Sequence, residues 1–217
     1  MEALQPSEVR VLGALLEKDI TTPEHYPLTL NALVNACNQK SSREPIVSYG
    51  EEIVTEALES LQYRGLAMRI SGAGHRVEKY SHRLGEKLNL GRREQALLCV
   101  LMLRGPQTVG ELRGRTERMH DFADLEEVEF VLEALQKREP DASEEPSRTT
   151  ERGPVRALVA PLARGRWVQL LGGPFEDSAI AEPGAGVRTP LEARVEALER
   201  EVAEMRQQLE SFRRQFE

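Results

Sequence analysis

Three groups of side chains in this chain could do chemistry. The first is cationic. From Arg64 to Arg93 the positives are Arg64, Arg69, Arg76, Lys79, Arg83, Lys87, Arg92 and Arg93, and the negatives are Glu78 and Glu86, a net of +6 (8 − 2). His75 and His82 add charge below about pH 6.5, and Lys40 and Arg43 lie in a preceding loop. Such a patch holds phosphates; alternatively its charges pair with acidic helices of the same chain. The second group is acidic: Glu51, Glu52, Glu56 and Glu59, and again Glu126, Glu127, Glu129 and Glu133. These suit a solvated face or a protein-docking surface, because acids in a DNA groove repel phosphate and forgo counterion release. The third group is amides. In "TTPEHYPLTLNALVNACNQKSSREP", Asn31, Asn35, Asn38 and Gln39 stand where a surface helix usually carries Glu and Lys. Amides contact a nucleic-acid backbone, or they tie down loop backbone and helix ends, Asn38 as a left-handed helix end among them.

Catalysis finds no matching set. There is no Gly-rich phosphate loop, nucleophile motif or cysteine pair at metal spacing, and the four histidines are scattered. His75 and His82 could approach across a hairpin, though surface histidines on a basic wing are the commoner case. A non-enzymatic protein without metal or cofactor is expected.

These groups sit on elements that the sequence repeats. "VTEALESLQYR" (54–64) resembles "VEFVLEALQKR" (128–138) at an offset of 74, and "SEVRVLGALLEK" (7–18) matches "REQALLCVLMLR" (93–104) in pattern at an offset of 86. The first copy is therefore 12 residues (86 − 74) longer between its first and last helices. Each copy predicts three helices and two strands. In copy one, Ser7 is expected to cap the first helix, Pro27 to open the second and Ser48 with Glu51 to box the third, with Gly65 ending it. Buried stripes are Val11, Leu12, Leu15 and Leu16; Leu30, Leu33, Val34 and Cys37; and Val54, Ala57, Leu58 and Leu61. "GLAMRI" and "HRVEKYS" then form a hairpin. In copy two, Gly105 and Pro106 stop the first helix, Thr108 and Glu111 box the second, and Asp124 caps the third. "PVRALVAPL" and "RWVQLL" make its hairpin around "ARG", after the polar acidic loop "EPDASEEPSRTTERG".

Three helices and a hairpin make a winged helix-turn-helix. The expected fold is α+β, mostly α: winged-helix domains at 1–87 and 88–172, a Gly/Pro-rich linker at 173–189 and a coiled-coil tail at 190–217. In the tail Leu191, Val195, Leu198, Val202, Met205, Leu209, Phe212 and Phe216 are spaced 4, 3, 4, 3, 4, 3, 4. That is a heptad seam, which suits a homodimer; flanking charges fit either strand orientation, and the alternative is one helix folded back on its own domains.

The segments "TTPEHYPLTLNALVNACNQKSSREP", "RVEKYSHRL" and "LLCVLMLRGPQTVGELRGRTERM" resemble the YceH family of bacterial proteins over both repeats. The resemblance implies a tandem winged-helix protein and brings no activity, substrate or catalytic residue. The second wing, "APLARGRWVQLL", lacks the longer proline-rich turn of relatives, so no role is carried over to it.

The composition bounds the rest. The 217 residues are 40% hydrophobic and 30% charged, with a net charge of −7, a balance unlike that of a dedicated DNA coater. No apolar run is long enough to span a membrane and no signal peptide precedes the first helix, so no membrane partner is expected. Cys37 and Cys99 fall in apolar helical patterns and are expected as reduced core thiols in a cytoplasmic protein. Two functions follow. The leading one is a transcription-regulator-like dimer that contacts double-stranded DNA through Lys40, Arg43, Arg69, His75, Arg76, Lys79, His82 and Arg83. The alternative is an adaptor that docks protein partners through Glu51, Glu52, Glu56 and Glu59.

Overall fold

The computed structural model describes residues 2–70, 77–138 and 157–175. Its elements run α1 (Pro6–Thr21), β1 (Leu28–Thr29), α2 (Leu30–Cys37), α3 (Glu51–Tyr63), β2 (Ala67–Ile70), β3 (Lys79–His82) and a short α4 (Leu84–Lys87). The second copy follows as α5 (Arg92–Arg104), β4 (Gln107–Thr108), α6 (Val109–Thr116), α7 (Leu125–Gln136), β5 (Val159–Leu162) and β6 (Arg166–Gln169). The fold is α+β with two small antiparallel sheets, ordered β1-β3-β2 and β4-β6-β5.

The repeat is structural. α5 starts 86 residues after α1, α6 starts 79 after α2, and α7 starts 74 after α3. The extra length of copy one is therefore 7 residues ahead of α2 (86 − 79) and 5 between α2 and α3 (79 − 74). Corresponding strands pair in corresponding register: Leu28 opposes Tyr80, and Gln107 opposes Trp167. The two-residue strands β1 and β4 and the helix α4 were not foreseen, because two to four residues are too few to show a period.

Helix starts in copy two follow the local signals. Thr108 Oγ1 accepts the Glu111 N–H at 3.3 Å while the Glu111 carboxylate accepts the Thr108 N–H at 2.9 Å, and Asp124 accepts the Glu127 N–H at 2.8 Å. Copy one departs from expectation at three caps. Pro6 occupies the first position of α1, so Gln5 rather than Ser7 is the cap, and Glu8 reaches back to the Gln5 N–H at 2.5 Å. Pro27 does not open α2: the chain pairs through Leu28–Thr29 first, and Thr29 caps the helix by accepting the Ala32 N–H at 3.3 Å. Gly50, extended at φ −76° and ψ 171°, takes the cap of α3, so Ser48 and Glu51 form no box. Gly65 and Gly105, at φ 69° and 70°, follow their helices as expected.

All these elements lie in one compact unit, Met1–Phe175. The two copies share a core through α1 and α5. Gly13 of α1 lets α5 approach so closely that a β-carbon there would lie 3.0 Å from Leu103 Cδ2 and 3.2 Å from Met102 Cβ. Cys99 Sγ donates to the Gly13 carbonyl at 3.6 Å. Cys37 and Cys99 are free and buried, and burial pushes the Cys37 thiol up to about 12. Among the described residues no helix is long and apolar enough to cross a membrane. The heptad seam from Leu191 to Phe216 lies outside the described residues.

Candidate interaction surface

The amides of the 31–39 stretch divide by location. Asn38 clamps the loop that leads to α3: its Nδ2 donates to the Tyr49 carbonyl and its Oδ1 accepts the Tyr49 N–H, both at 2.8 Å. It ends α2 at φ −91°, not in a left-handed turn. Gln39 Oε1 accepts from Arg43 Nη2 at 3.0 Å and from Lys18 Nζ at 3.4 Å. Asn35 donates to Asn31 at 3.1 Å on the exposed side of α2. Two of the four amides therefore hold backbone or buried charge, which answers their unusual abundance.

Arg43 needs correction as a DNA contact. Its side chain is fully buried. It donates to Glu17 Oε1 and Oε2 at 3.0 and 2.6 Å and to the Ala36 carbonyl at 2.9 Å. Burial pushes the Glu17 carboxyl up, but the hydrogen bonds and charge of Arg43 outweigh it and hold that carboxyl below its ordinary value. Arg10, also buried, donates to the carbonyls of Cys37 and Pro45 at 3.3 and 2.6 Å. The two arginines satisfy the backbone of the long copy-one insertion. They are scaffold, because each guanidinium is buried and bonded to protein acceptors rather than presented to a phosphate.

His82 is corrected for the same reason. Its side chain is 8% exposed and its Nε2 lies 3.2 Å from Asp19 Oδ2. Its Nδ1 accepts the Leu84 N–H at 3.2 Å, so the neutral ring carries its proton on Nε2. Burial lowers its pKa against the opposing pull of Asp19. The remaining cations of the first hairpin are thinner than their number suggested. Arg69 pairs with Glu78 at 2.9 Å and Arg83 with Glu86 at 3.0 Å. Lys40 is exposed and Lys79 half-buried. His75 and Arg76 lie outside the described residues.

The third helices present a different surface. Glu51, Glu52, Glu56 and Glu59 are all exposed on α3, opposite the stripe of Val54, Ala57, Leu58 and Leu61 that it buries. Tyr63 stands on the acidic side at 95% exposure, and Ile53 is 41% exposed. On α7, Glu126, Glu129 and Glu133 are exposed beside Leu125 and Phe130, the latter at 68%. Glu127 alone turns inward, pairing with Arg93 at 3.1 Å and accepting the Ala123 N–H at 3.0 Å. Among the described residues, these side chains of α3 and α7 stay exposed in the presence of the other copy. Both outward helices thus expose large apolar side chains among acids. They were missed although the signal was present: Phe130 falls outside the stripe that α7 buries, Val128, Val131, Leu132 and Leu135.

A family described as "Protein of unknown function, DUF480" matches residues 4–152, more than half of the chain. The chain belongs to this DUF480 family. A UPF0502 protein of Solibacter usitatus is 52% identical over 219 residues, covering 99% of this chain and 98% of its own. A UPF0502 protein of Pelobacter propionicus is 44% identical over 233 residues, again covering 99% and 98%. One from Citrifermentans bemidjiense is 62% identical over 141 residues, 64% of this chain and 65% of its own. The DUF480 match spans α1 through α7, so it includes both outward third helices.

Proposed function

We propose that this DUF480 protein is a non-enzymatic adaptor that docks protein partners through α3 and α7. We read each copy as a winged helix, in keeping with the resemblance to the YceH family, and the third helix as its contact element. One observation carries the reading: both third helices expose carboxylates around large apolar side chains, Tyr63 in one and Phe130 in the other. A fitting partner offers Lys and Arg around an apolar patch. The apolar contacts supply affinity, and the charges set register and encounter rate.

DNA contact through the first wing is the weaker reading. Of the eight candidate contacts, Arg43 and His82 are internal, and Arg69 and Arg83 each pair with a neighbouring carboxylate. Dimerisation through the 190–217 heptads would pair two such adaptors and raise their avidity.

The test places a photocrosslinking amino acid at Tyr63 or Phe130 of the full-length protein in cells. Protein adducts that vanish when Glu52 and Glu56 are changed to Lys support docking. The same preparation is titrated with random duplex DNA at two salt concentrations. Tight binding that weakens steeply with salt and disappears in the Lys40→Glu, Lys79→Glu variant would overturn the adaptor in favour of the wing.

A further inference from the structure

The two third helices carry the same outer stripe in different chemistry. α7 starts 74 residues after α3, so Glu52, Glu56, Glu59 and Tyr63 of copy one stand where copy two has Glu126, Phe130, Glu133 and Lys137. Spacings of 4, 3 and 4 put each set on one helix face, and every member is exposed. The first and third positions are glutamate in both copies. The aromatic residue differs in place: it is fourth in α3, as Tyr63, and second in α7, as Phe130, where it lies between the two acids.

Local roles account for the charges of α7 but not for its ring. Glu126 stands in the first turn and suits the helix dipole. Glu133 pairs with Lys137 at 2.7 Å, with both side chains more than half exposed, and such a pair is worth little in water. Phe130 is 68% exposed and lies outside the stripe that α7 buries. One turn further on, the exposed Ala134 leaves room for another backbone to approach.

The spacing selects the shape of what fits there. Glu126 and Glu133 are about 10.5 Å apart along the axis, at a rise of about 1.5 Å per residue. A helix laid along α7 repeats that separation between its own positions i and i+7. An extended chain does not, because its same-face residues recur at about 6.6 and about 13.2 Å. Charge then orders the partner's side chains: a cation, an apolar group, a second cation, and an acid against Lys137.

We propose that α7 docks an amphipathic helix that sets a large apolar side chain against Phe130 and two Lys or Arg side chains, seven positions apart, against Glu126 and Glu133. The assignment rests on the docking reading given above and narrows it to one helix and one class of partner. Phe130 determines the specificity. At the same place α3 holds Glu56, and burying a carboxylate under an apolar side chain is costly. The copies are therefore not duplicate docking faces: α3 refuses the apolar-centred helix that α7 accepts.

Fluorescence anisotropy of labelled Ala-rich helical peptides with the full-length protein tests this. One peptide carries Lys, Leu, Lys and Glu at successive spacings of four, three and four. A second carries them in reverse order, which serves an antiparallel partner, and a third has the same composition scrambled. An ordered peptide is expected to bind at one site per chain, and the scrambled peptide is not. Phe130→Ala weakens that binding about tenfold or more, as loss of an aromatic anchor does, and Phe130→Glu abolishes it. Glu56→Phe gives α3 the same succession of acid, aromatic and acid, so it raises the stoichiometry to about two. These side chains are exposed, so each variant should melt near the parent temperature, and lost binding is then not lost fold. Equal binding of the scrambled peptide, unchanged affinity in Phe130→Glu, or no saturable binding overturns the assignment. Protein crosslinks at Phe130 in cells together with any of those results would leave the docking reading standing and sink only the helix assignment.

Discussion

Single residues decide how the copy-one insertion is held. Arg43 and Glu17 form an ion pair with Arg43 fully buried and Glu17 at 14% exposure. Removing one partner strands the other in a low-dielectric site. Arg43→Met is therefore expected to cost about 3–5 kcal/mol, read as a lowered midpoint in urea with an unchanged slope. A loss near zero would mean that Arg10, Asn38 and the remaining loop contacts hold the insertion without this pair. His82 gives a pH dependence. Its folded pKa lies below the ordinary 6.5, so below that value the unfolded chain binds the proton more readily. The stability contributed by neutral His82 is complete above about pH 6.5 and is lost as pH falls from there toward the folded pKa. Protonation also sets a ring N–H against the Leu84 N–H that Nδ1 accepts. Urea midpoints between about pH 5 and 8 should fall on the acid side, and His82→Gln should flatten that limb.

At the level of elements, what could be read beforehand was what is local. Thr108, Glu111 and Asp124 cap their helices through bonds spanning three residues, and such spacing is visible in a string. Removing one such cap, Thr108→Ala, is expected to cost about 1 kcal/mol in a thermal melt. Ser7 and Ser48 looked equally good, yet Pro6 and Gly50 fixed the helix starts elsewhere. Arg43 looked like a surface cation because its partner Glu17 stands 26 positions away, a distance no local pattern encodes. The third helices were legible as acidic. Their exposure depended on which faces the two copies bury against each other. Glu52→Lys with Glu56→Lys should leave the melting temperature nearly unchanged, since both are exposed, while abolishing the crosslinks described above.

Over the whole molecule, the α1–α5 contact joins the copies into one folding unit. Urea unfolding of the described core is expected to show a single transition by both circular dichroism and Trp167 fluorescence, because neither copy keeps a complete core without the other. Gly13→Val inserts methyl groups where a β-carbon already meets Leu103 at 3.0 Å. It should cost about 1–3 kcal/mol, and a split into two transitions would mark the copies coming apart.

Gly13 and Cys99 are separated by 86 residues, the offset between α1 and α5. At this point the chain touches its own counterpart. Two identical protomers meeting there would have to present either a pair of glycines, leaving a gap, or a pair of larger side chains, forcing the helices apart. A covalently duplicated chain escapes that constraint. It can set the smallest residue opposite a thiol, which fills the space and bonds to the bare carbonyl. The contact is thereby a lock and its key rather than a symmetric pair, and it joins two copies of which the first carries the longer loops.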